Sequence, residues 1–339
     1  MKTLRFVLLV AFVASLLLVA APAVAQEPEY TYYFVSHIGP DDPNMKWLTV
    51  STEEISKLLP VKVNYVAAEK FSVEQQVKNL EAAIAAEPDG LIVPITDPKA
   101  LEGPLKEAIA LGIPVIASNI SDPRDAPDKI PYLTYVGGDE YLTGVKIGER
   151  MLKEFADQGK TLTRAVCANA APGHVGIQMR CKGMKDVMDK AGVAYEELPM
   201  DPEPTKIYDT WAAYLEGHPD TNAVWAAVML ATPNIFKATK DAGREGEVVI
   251  ASVDESPLSV EGIVRGHLLA THSQQFYLQG WVPVEWLYIY NRFGYMPPPE
   301  LLTGPVIIDA SNAEAWKATL MTVLGEDVYN DLAGWEAVE

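Results

Sequence analysis

The chain has 339 residues, of which 49% are hydrophobic and 22% charged, and its formal net charge is −19. That composition is ordinarily globular, and the length exceeds what one core usually supports, so two domains are the default expectation. The acidity argues against nucleic acid or an anionic membrane surface as a partner, since both call for clustered positive charge.

At the N-terminus Lys2 and Arg5 precede an apolar run from Phe6 to Ala20, and Ala23-Val24-Ala25 stands just before Gln26. This pattern predicts a secretory signal peptide over residues 1–25. The run is shorter than the roughly 20 residues a spanning helix needs. Gln26 follows the cleavage point where a lipid anchor would need cysteine, so the mature protein is expected free in the periplasm. Losing Lys2 and Arg5 makes its charge two units more negative.

Beyond the leader, apolar strand-like runs alternate with helix-length amphipathic stretches. The runs are Tyr32–Ser36, Val61–Val66, Leu91–Ile95, Val115–Ser118, Leu133–Val136, Thr163–Cys167, Ala223–Val228, Val248–Val253 and Leu268–His272. Such alternation predicts an α/β fold of parallel sheets covered by helices on both faces. The two cysteines, Cys167 in a predicted strand and Cys181 on the following helix, lie in an oxidising compartment on this reading. Their separation depends on packing, so a disulfide and two buried free thiols both stay open.

An internal echo supports two lobes. Pro88-Asp89, a strand, a helix and a strand ending Ile116-Ala117-Ser118 are matched by Pro219-Asp220, a strand, a helix and a strand ending Ile250-Ala251-Ser252. Asn119 closes the first copy and Val253-Asp254 the second. In open α/β sheets ligands bind beyond the carboxyl ends of strands. That rule nominates Ser36, His37, Asn119, Asn169, Asp254 and Ser273-Gln274.

In order and spacing, several segments resemble the ribose/galactose-type periplasmic sugar-binding proteins, the type I substrate-binding components of ABC transporters. They are Ser36-His37 with Asp42-Pro43-Asn44 and Trp47; Gly112 to Ile116 leading to Asn119; Tyr135 to Asp139; Gly173 to Gln178 with Arg180 and Gly183; Val249 to Asp254; and Ala270 to Gln274. The resemblance implies two doubly wound, Rossmann-like lobes with a three-strand hinge, the periplasmic binding protein-like I fold. It places the crossings near Gly138-Asp139, Gln274-Gln275 and Thr303-Pro305. The N-terminal lobe is then 26–138 with 275–303, the C-terminal lobe 139–274 with 304–325, and 326–339 a C-terminal tail.

The implied function is capture of a monosaccharide or related polyol by hinge closure, for delivery to an ABC permease in the inner membrane, by a monomer without cofactor or metal. The implied ligand set is Ser36, His37, Asp42, Asn44, Trp47, Asn119, Gln178, Arg180, Asp254 and Gln274. Their chemistry suits a sugar, whose ring of hydroxyls calls for charged and amide side chains and whose apolar face calls for an aromatic. Each has a plainer alternative. Asp254 could cap the helix starting near Ser256, Arg180 could pair with Asp186 or Asp189, and Asn119 could form an Asx-turn. Asp42-Pro43 reads as an N-cap with proline at N1. Trp47 could be helix core, and His37 a satisfied loop residue. The chain departs from the family at Val228-Met229-Leu230-Ala231, where relatives offer a polar contact; Thr232 or Asn234 could replace it. An aromatic platform is likewise missing near Pro202-Glu203-Pro204, where Trp211 could substitute.

Rival functions fare worse. No G-x-G-x-x-G follows the first strand, and there is no P-loop, G-x-S-x-G or H-E-x-x-H, so an enzyme is not expected. His267 and His272 are five apart on a strand-like run and make a poor metal pair. A nucleoside, a signalling furanose or a sensory role for a membrane receptor would use the same fold.

Overall fold

The computed structural model describes residues 27–40 and 42–337. The predicted signal peptide lies outside the described residues. Among the described residues twelve strands form two six-stranded sheets. The first holds β1 (Tyr30–Val35), β2 (Val61–Val66), β3 (Gly90–Val93), β4 (Val115–Asn119), β5 (Thr134–Gly138) and β11 (Glu300–Gly304). The second holds β6 (Arg164–Asn169), β7 (Ala194–Pro199), β8 (Thr221–Ala226), β9 (Val249–Ala251), β10 (Ala270–Ser273) and β12 (Val306–Asp309).

Their orders are β11-β5-β4-β3-β1-β2 and β12-β10-β9-β8-β6-β7. All pairings are parallel except β10 with β12. The central strands β3, β4 and β5 are buried along their whole length, as parallel strands covered on both faces must be.

The helices are α1 (Met45–Leu58), α2 (Val73–Ala85), α3 (Pro98–Ala110), α4 (Glu140–Asp157), α5 (Val175–Ala191), α6 (Pro204–Gly217), α7 (Thr232–Asp241), α8 (Pro257–Val264), α9 (Phe276–Phe293), α10 (Ala313–Leu324) and α11 (Glu326–Ala333). Their starts follow local chemistry. Ser72, Asp97, Asp139 and Ser256 each accept a first-turn amide with a side-chain oxygen.

The echo in the sequence is a structural equivalence. β3-β4 and β8-β9 occupy matching places in the two sheets, and Asn119 and Asp254 at their ends both take positive φ, 67° and 66°. The chain passes between sheets three times: after β5, after β10, and between β11 and β12. Of the predicted tail, residues 326–337 are described, and they are folded. They fold as α11 against α8, with Tyr329 and Trp335 fully buried, because that end carries apolar side chains that need covering.

A disulfide joins Cys167 on β6 to Cys181 on α5, with Cα atoms 5.6 Å apart and both residues buried. It ties α5 to its own sheet one residue after Arg180.

Candidate functional site

The carboxyl ends of the two sheets face each other, and polar side chains meet between them. Asn44, just ahead of α1, is fully buried and donates from Nδ2 to Asp254 Oδ2 across the lobes at 3.0 Å. Gln274 Nε2 donates to the other oxygen, Asp254 Oδ1, at 2.5 Å. Gln274 Oε1 in turn accepts from Asn119 Nδ2 at 3.2 Å. A line of four side chains, Asn44, Asp254, Gln274 and Asn119, therefore runs from one lobe to the other and back. Asn119 also donates to Gln279 Oε1 at 2.9 Å, so its side chain serves the cleft and not an Asx-turn.

Beside this line stands an ion pair. Arg180 donates from Nε to Glu140 Oε2 and from Nη1 to the carbonyl of Ala227, at 3.1 Å for the latter. Its sequence-suggested partners Asp186 and Asp189 instead hold Lys182 and Lys185 on the outer face. The β8 end, where a polar contact was missing from the sequence, thus contributes a backbone oxygen to Arg180. Met229 is packed in the core there, and Thr232 turns inward to the Ser252 hydroxyl at 2.8 Å. Trp211 is core, bonded to Thr239.

Three rings meet across the lobes. His37 lies 5.4 Å from His174, which caps α5 from the opposite lobe, and Phe71 is 6.1 Å from His37 and 5.4 Å from His174. A backbone bond from Val175 N to Thr96 O, 3.3 Å, and an exposed Lys70–Glu203 pair, 3.6 Å, also join the lobes.

Burial sets the electrostatics. His37 is pushed down to about 3 by burial and then by the Arg180 charge. His174 and His272 are likewise held well below the usual imidazole range by burial, Arg180 adding to it. Asp254 and Glu140 are raised by burial, with Arg180 opposing. Asp42 is raised to about 7, first by burial and then by the nearby Asp254 charge. Neutral rings and reluctant carboxylates are what a dry, closed cleft imposes.

Several buried polar atoms in this region have no partner in the protein: His37 Nδ1, Asn44 Oδ1, Trp47 Nε1, Glu140 Oε1 and both ring nitrogens of His272. Asn44 belongs to the cross-lobe line and Trp47 follows it on α1, His37 belongs to the ring cluster, Glu140 is the partner of Arg180, and His272 stands two residues before Gln274 with its ring against Trp225. Buried groups left unpaired are uncommon and costly, so a cluster of them marks where a polar ligand would be bound.

The structure therefore brings together Ser36, His37, Asp42, Asn44, Trp47, Asn119, Arg180, Asp254 and Gln274. Ser36 turns its hydroxyl to Ile38 N at 3.0 Å and shapes the loop. Asp42 caps no helix: Oδ1 accepts from Asn44 N at 2.9 Å, and α1 begins later, at Met45. Trp47 packs in the N-terminal lobe's core, with its indole nitrogen unpartnered. Asn169 is tied to Glu197 of β7 and to its own turn. Gln178 is not part of this cluster of buried side chains. It is exposed, because two residues of helix turn it about 200° from the buried Arg180.

Sequence reasoning missed Glu140, His174 and Glu255. The last is fully buried and accepts from Gln274 N at 2.8 Å and Phe276 N at 2.7 Å. Among the described residues no group of acidic, histidine or cysteine side chains is placed to hold a metal. No helix among them is long and apolar enough to cross a membrane.

The family model for the periplasmic binding protein domain matches residues 34–292. The chain belongs to this family. It is 26% identical over 307 residues to the xylose/arabinose-binding protein XylF of Sulfolobus acidocaldarius, covering 86% of this chain and 74% of that one. Identity to the ribose import binding protein RbsB of Bacillus subtilis is 24% over 245 residues, 72% of this chain and 76% of the relative. A carbohydrate transporter of Acidothermus cellulolyticus solved with myo-inositol superposes with a TM-score of 0.75 at 26% identity, covering 89% of this chain and 100% of that one. A periplasmic sugar-binding protein of Legionella pneumophila gives 0.75 at 27%, covering 81% and 100%. These are non-enzymatic binding components of sugar ABC transport, so a periplasmic binding protein's cleft has to hold and release, not transform.

Proposed function

We propose that this protein is exported through a cleaved signal peptide, captures a monosaccharide or an inositol-like polyol between its lobes in the periplasm, and delivers it as a monomer to an ABC permease in the inner membrane. The observation that carries the reading is the cluster of unpartnered buried polar atoms around the line Asn44–Asp254–Gln274–Asn119. Asn44 Oδ1 and Glu140 Oε1 are acceptors, Trp47 Nε1 is a donor, and the imidazoles serve as either. Vicinal hydroxyls, each donor and acceptor at once, satisfy such a mixture.

Because the line is built from both lobes, a ligand held there favours the closed arrangement and shifts the population toward it. The relatives' ligands, xylose, arabinose, ribose and myo-inositol, are all small polyols. A thermal-shift screen over pentoses, hexoses, inositols and nucleosides followed by calorimetry and small-angle scattering tests the proposal. A polyol that binds tightly and compacts the protein is the expected result. Tight binding of a polyol without compaction overturns the clamp, and a response confined to nucleosides overturns the ligand class.

A further inference from the structure

Helix α9 starts directly after the second crossing, packs with the N-terminal lobe against α1, and begins without a side-chain cap of its own. The residue in the N-cap position, Gln275, sits at φ 57°, a left-handed conformation that non-glycine residues adopt only where their surroundings impose it. What holds this start is a carboxylate from the other lobe. Glu255, in the loop between β9 and α8, accepts from the Phe276 amide with Oε1 at 2.7 Å and from the Gln274 amide with Oε2 at 2.8 Å. An acidic group at a helix N-terminus is favoured by the helix dipole, and here it also satisfies two amides that burial would otherwise leave unpaired.

The crossing it grips is the one through which the rest of the hinge is connected. The Gln274 carbonyl accepts from Thr303 Oγ1, at the third crossing, at 2.6 Å and from Gln279 Nε2 at 2.8 Å. Gln279 Oε1 receives Asn119, and its backbone carbonyl receives Ser118 Oγ at 2.9 Å, so these bonds reach the carboxyl end of β4. Glu255 also directly follows Asp254, whose side chain joins the cleft line. One short loop thus presents one carboxylate to the cleft and the next to the hinge.

Resting on the clamp reading above, we infer that Glu255 is a positioning residue for closure: it caps α9 across the lobe boundary in the closed state, and so sets the ratio of closed to open protein without touching the ligand. Rotating the lobes apart moves α9 with one lobe and Glu255 with the other, so the bond to the Phe276 amide is lost or lengthened while the bond to the Gln274 amide stays within the C-terminal lobe. Removing the carboxylate therefore lowers the closed fraction, and apparent affinity falls by that fraction for every ligand alike. A residue that reads the ligand changes ligand ratios instead.

The test uses the full mature protein and the two best-binding polyols from the screen. Dyes on the two lobes report the inter-lobe distance, and calorimetry gives Kd for both polyols. In Glu255→Gln, where one oxygen can still accept, the expected result is roughly three- to tenfold weaker binding of both polyols with their ratio unchanged, and a longer mean inter-lobe distance without ligand. Glu255→Asp, too short to reach both amides, should behave in the same direction. Unchanged affinity and distance in folded Glu255→Gln, or a changed ratio between the polyols, overturns the inference.

Hydrogen exchange on the unmodified protein supplies a second arm that does not depend on a variant folding. Protection of the Phe276 amide should rise when a compacting polyol is added, and no change there overturns the inference. Failure of the wild-type protein to compact at all counts against the clamp itself, and so is distinguishable.

Discussion

The N-terminal lobe offers most of the cleft amides and rings, Asn44, Asn119, Trp47, His37 and Phe71, with Asp42 its only acidic candidate, while Gln274 and His174 come from the C-terminal lobe. The C-terminal lobe offers an ionic set, Arg180 locked to Glu140, with Asp254 alongside. The two lobes share sheet order, and equivalent strands end in the same left-handed turn, yet one turn carries an amide, Asn119, and the other a carboxylate, Asp254. The same left-handed φ has been given different chemistry. Charges are costly to desolvate, and here they are pre-paired on one lobe, so closure of the amide lobe adds hydrogen bonds without having to neutralise a second full set of charges.

If that division is right, the largest effect comes from breaking the ionic lobe. Arg180→Ala leaves Glu140 buried without its partner and should cost about 3–5 kcal/mol of stability, measured by denaturant unfolding, and at least tenfold in ligand affinity. Arg180→Lys keeps the charge but lacks the fork that reaches both Glu140 and the Ala227 carbonyl, and should recover stability only partly. An Arg180→Ala protein with parental affinity would show that the charge organises the lobe and takes no part in binding.

The next effect separates the lobes by their cross-links. The disulfide belongs to the C-terminal lobe and closes a short loop, a sequence separation of 14, so Cys167→Ala with Cys181→Ala should cost roughly 3 kcal/mol. Calorimetry should show the loss in the melting of the C-terminal lobe, with the N-terminal lobe's transition moved less. Because Cys181 follows Arg180 on α5, affinity should weaken as well. A uniform shift of one cooperative transition would mean the lobes unfold as a single unit.

The sequence exposed the central strands and the edge strand β2 and concealed the other three edges, for a physical reason. β7, β11 and β12, which no apolar run marks, are all edge strands, partly exposed and therefore free to read Ala-Tyr-Glu-Glu-Leu-Pro or Glu-Leu-Leu-Thr-Gly. Strand-end logic nominated Asn119, Asp254 and Gln274, whose side chains meet in one line, and also Asn169, whose side chain is tied to Glu197. Gln178 lies exposed two residues from the buried Arg180, a helical phase that motif order does not carry. Glu140 stayed hidden because an acid in the first turn after an Asp cap reads as ordinary dipole compensation, and only the fold shows that Arg180 lies against it. Glu255 left a fainter signal: a second acid beside a nominated ligand residue, ahead of a serine cap that had no need of it.

The smallest effect tests the one acid the N-terminal lobe brings to the cleft. Burial and the Asp254 charge raise Asp42 from its ordinary value to about 7 in the folded protein. Between about pH 4 and 7 the folded state therefore keeps a proton that the unfolded chain releases, and stability falls as pH rises through that window. His37, held down to about 3, works in the opposite sense, losing stability as pH falls below its ordinary value, so the parent's own curve mixes the two. Asp42→Asn removes only the first. The variant should match the parent near pH 4 and melt roughly 3–5 °C higher by pH 7.5, since a tenfold change in a protonation equilibrium is worth about 1.4 kcal/mol and the chain is large. Equal melting points across the range would mean that Asp42 ionises freely, placing the N-terminal lobe's carboxylate in water and leaving the buried charge of the cleft entirely to the other lobe.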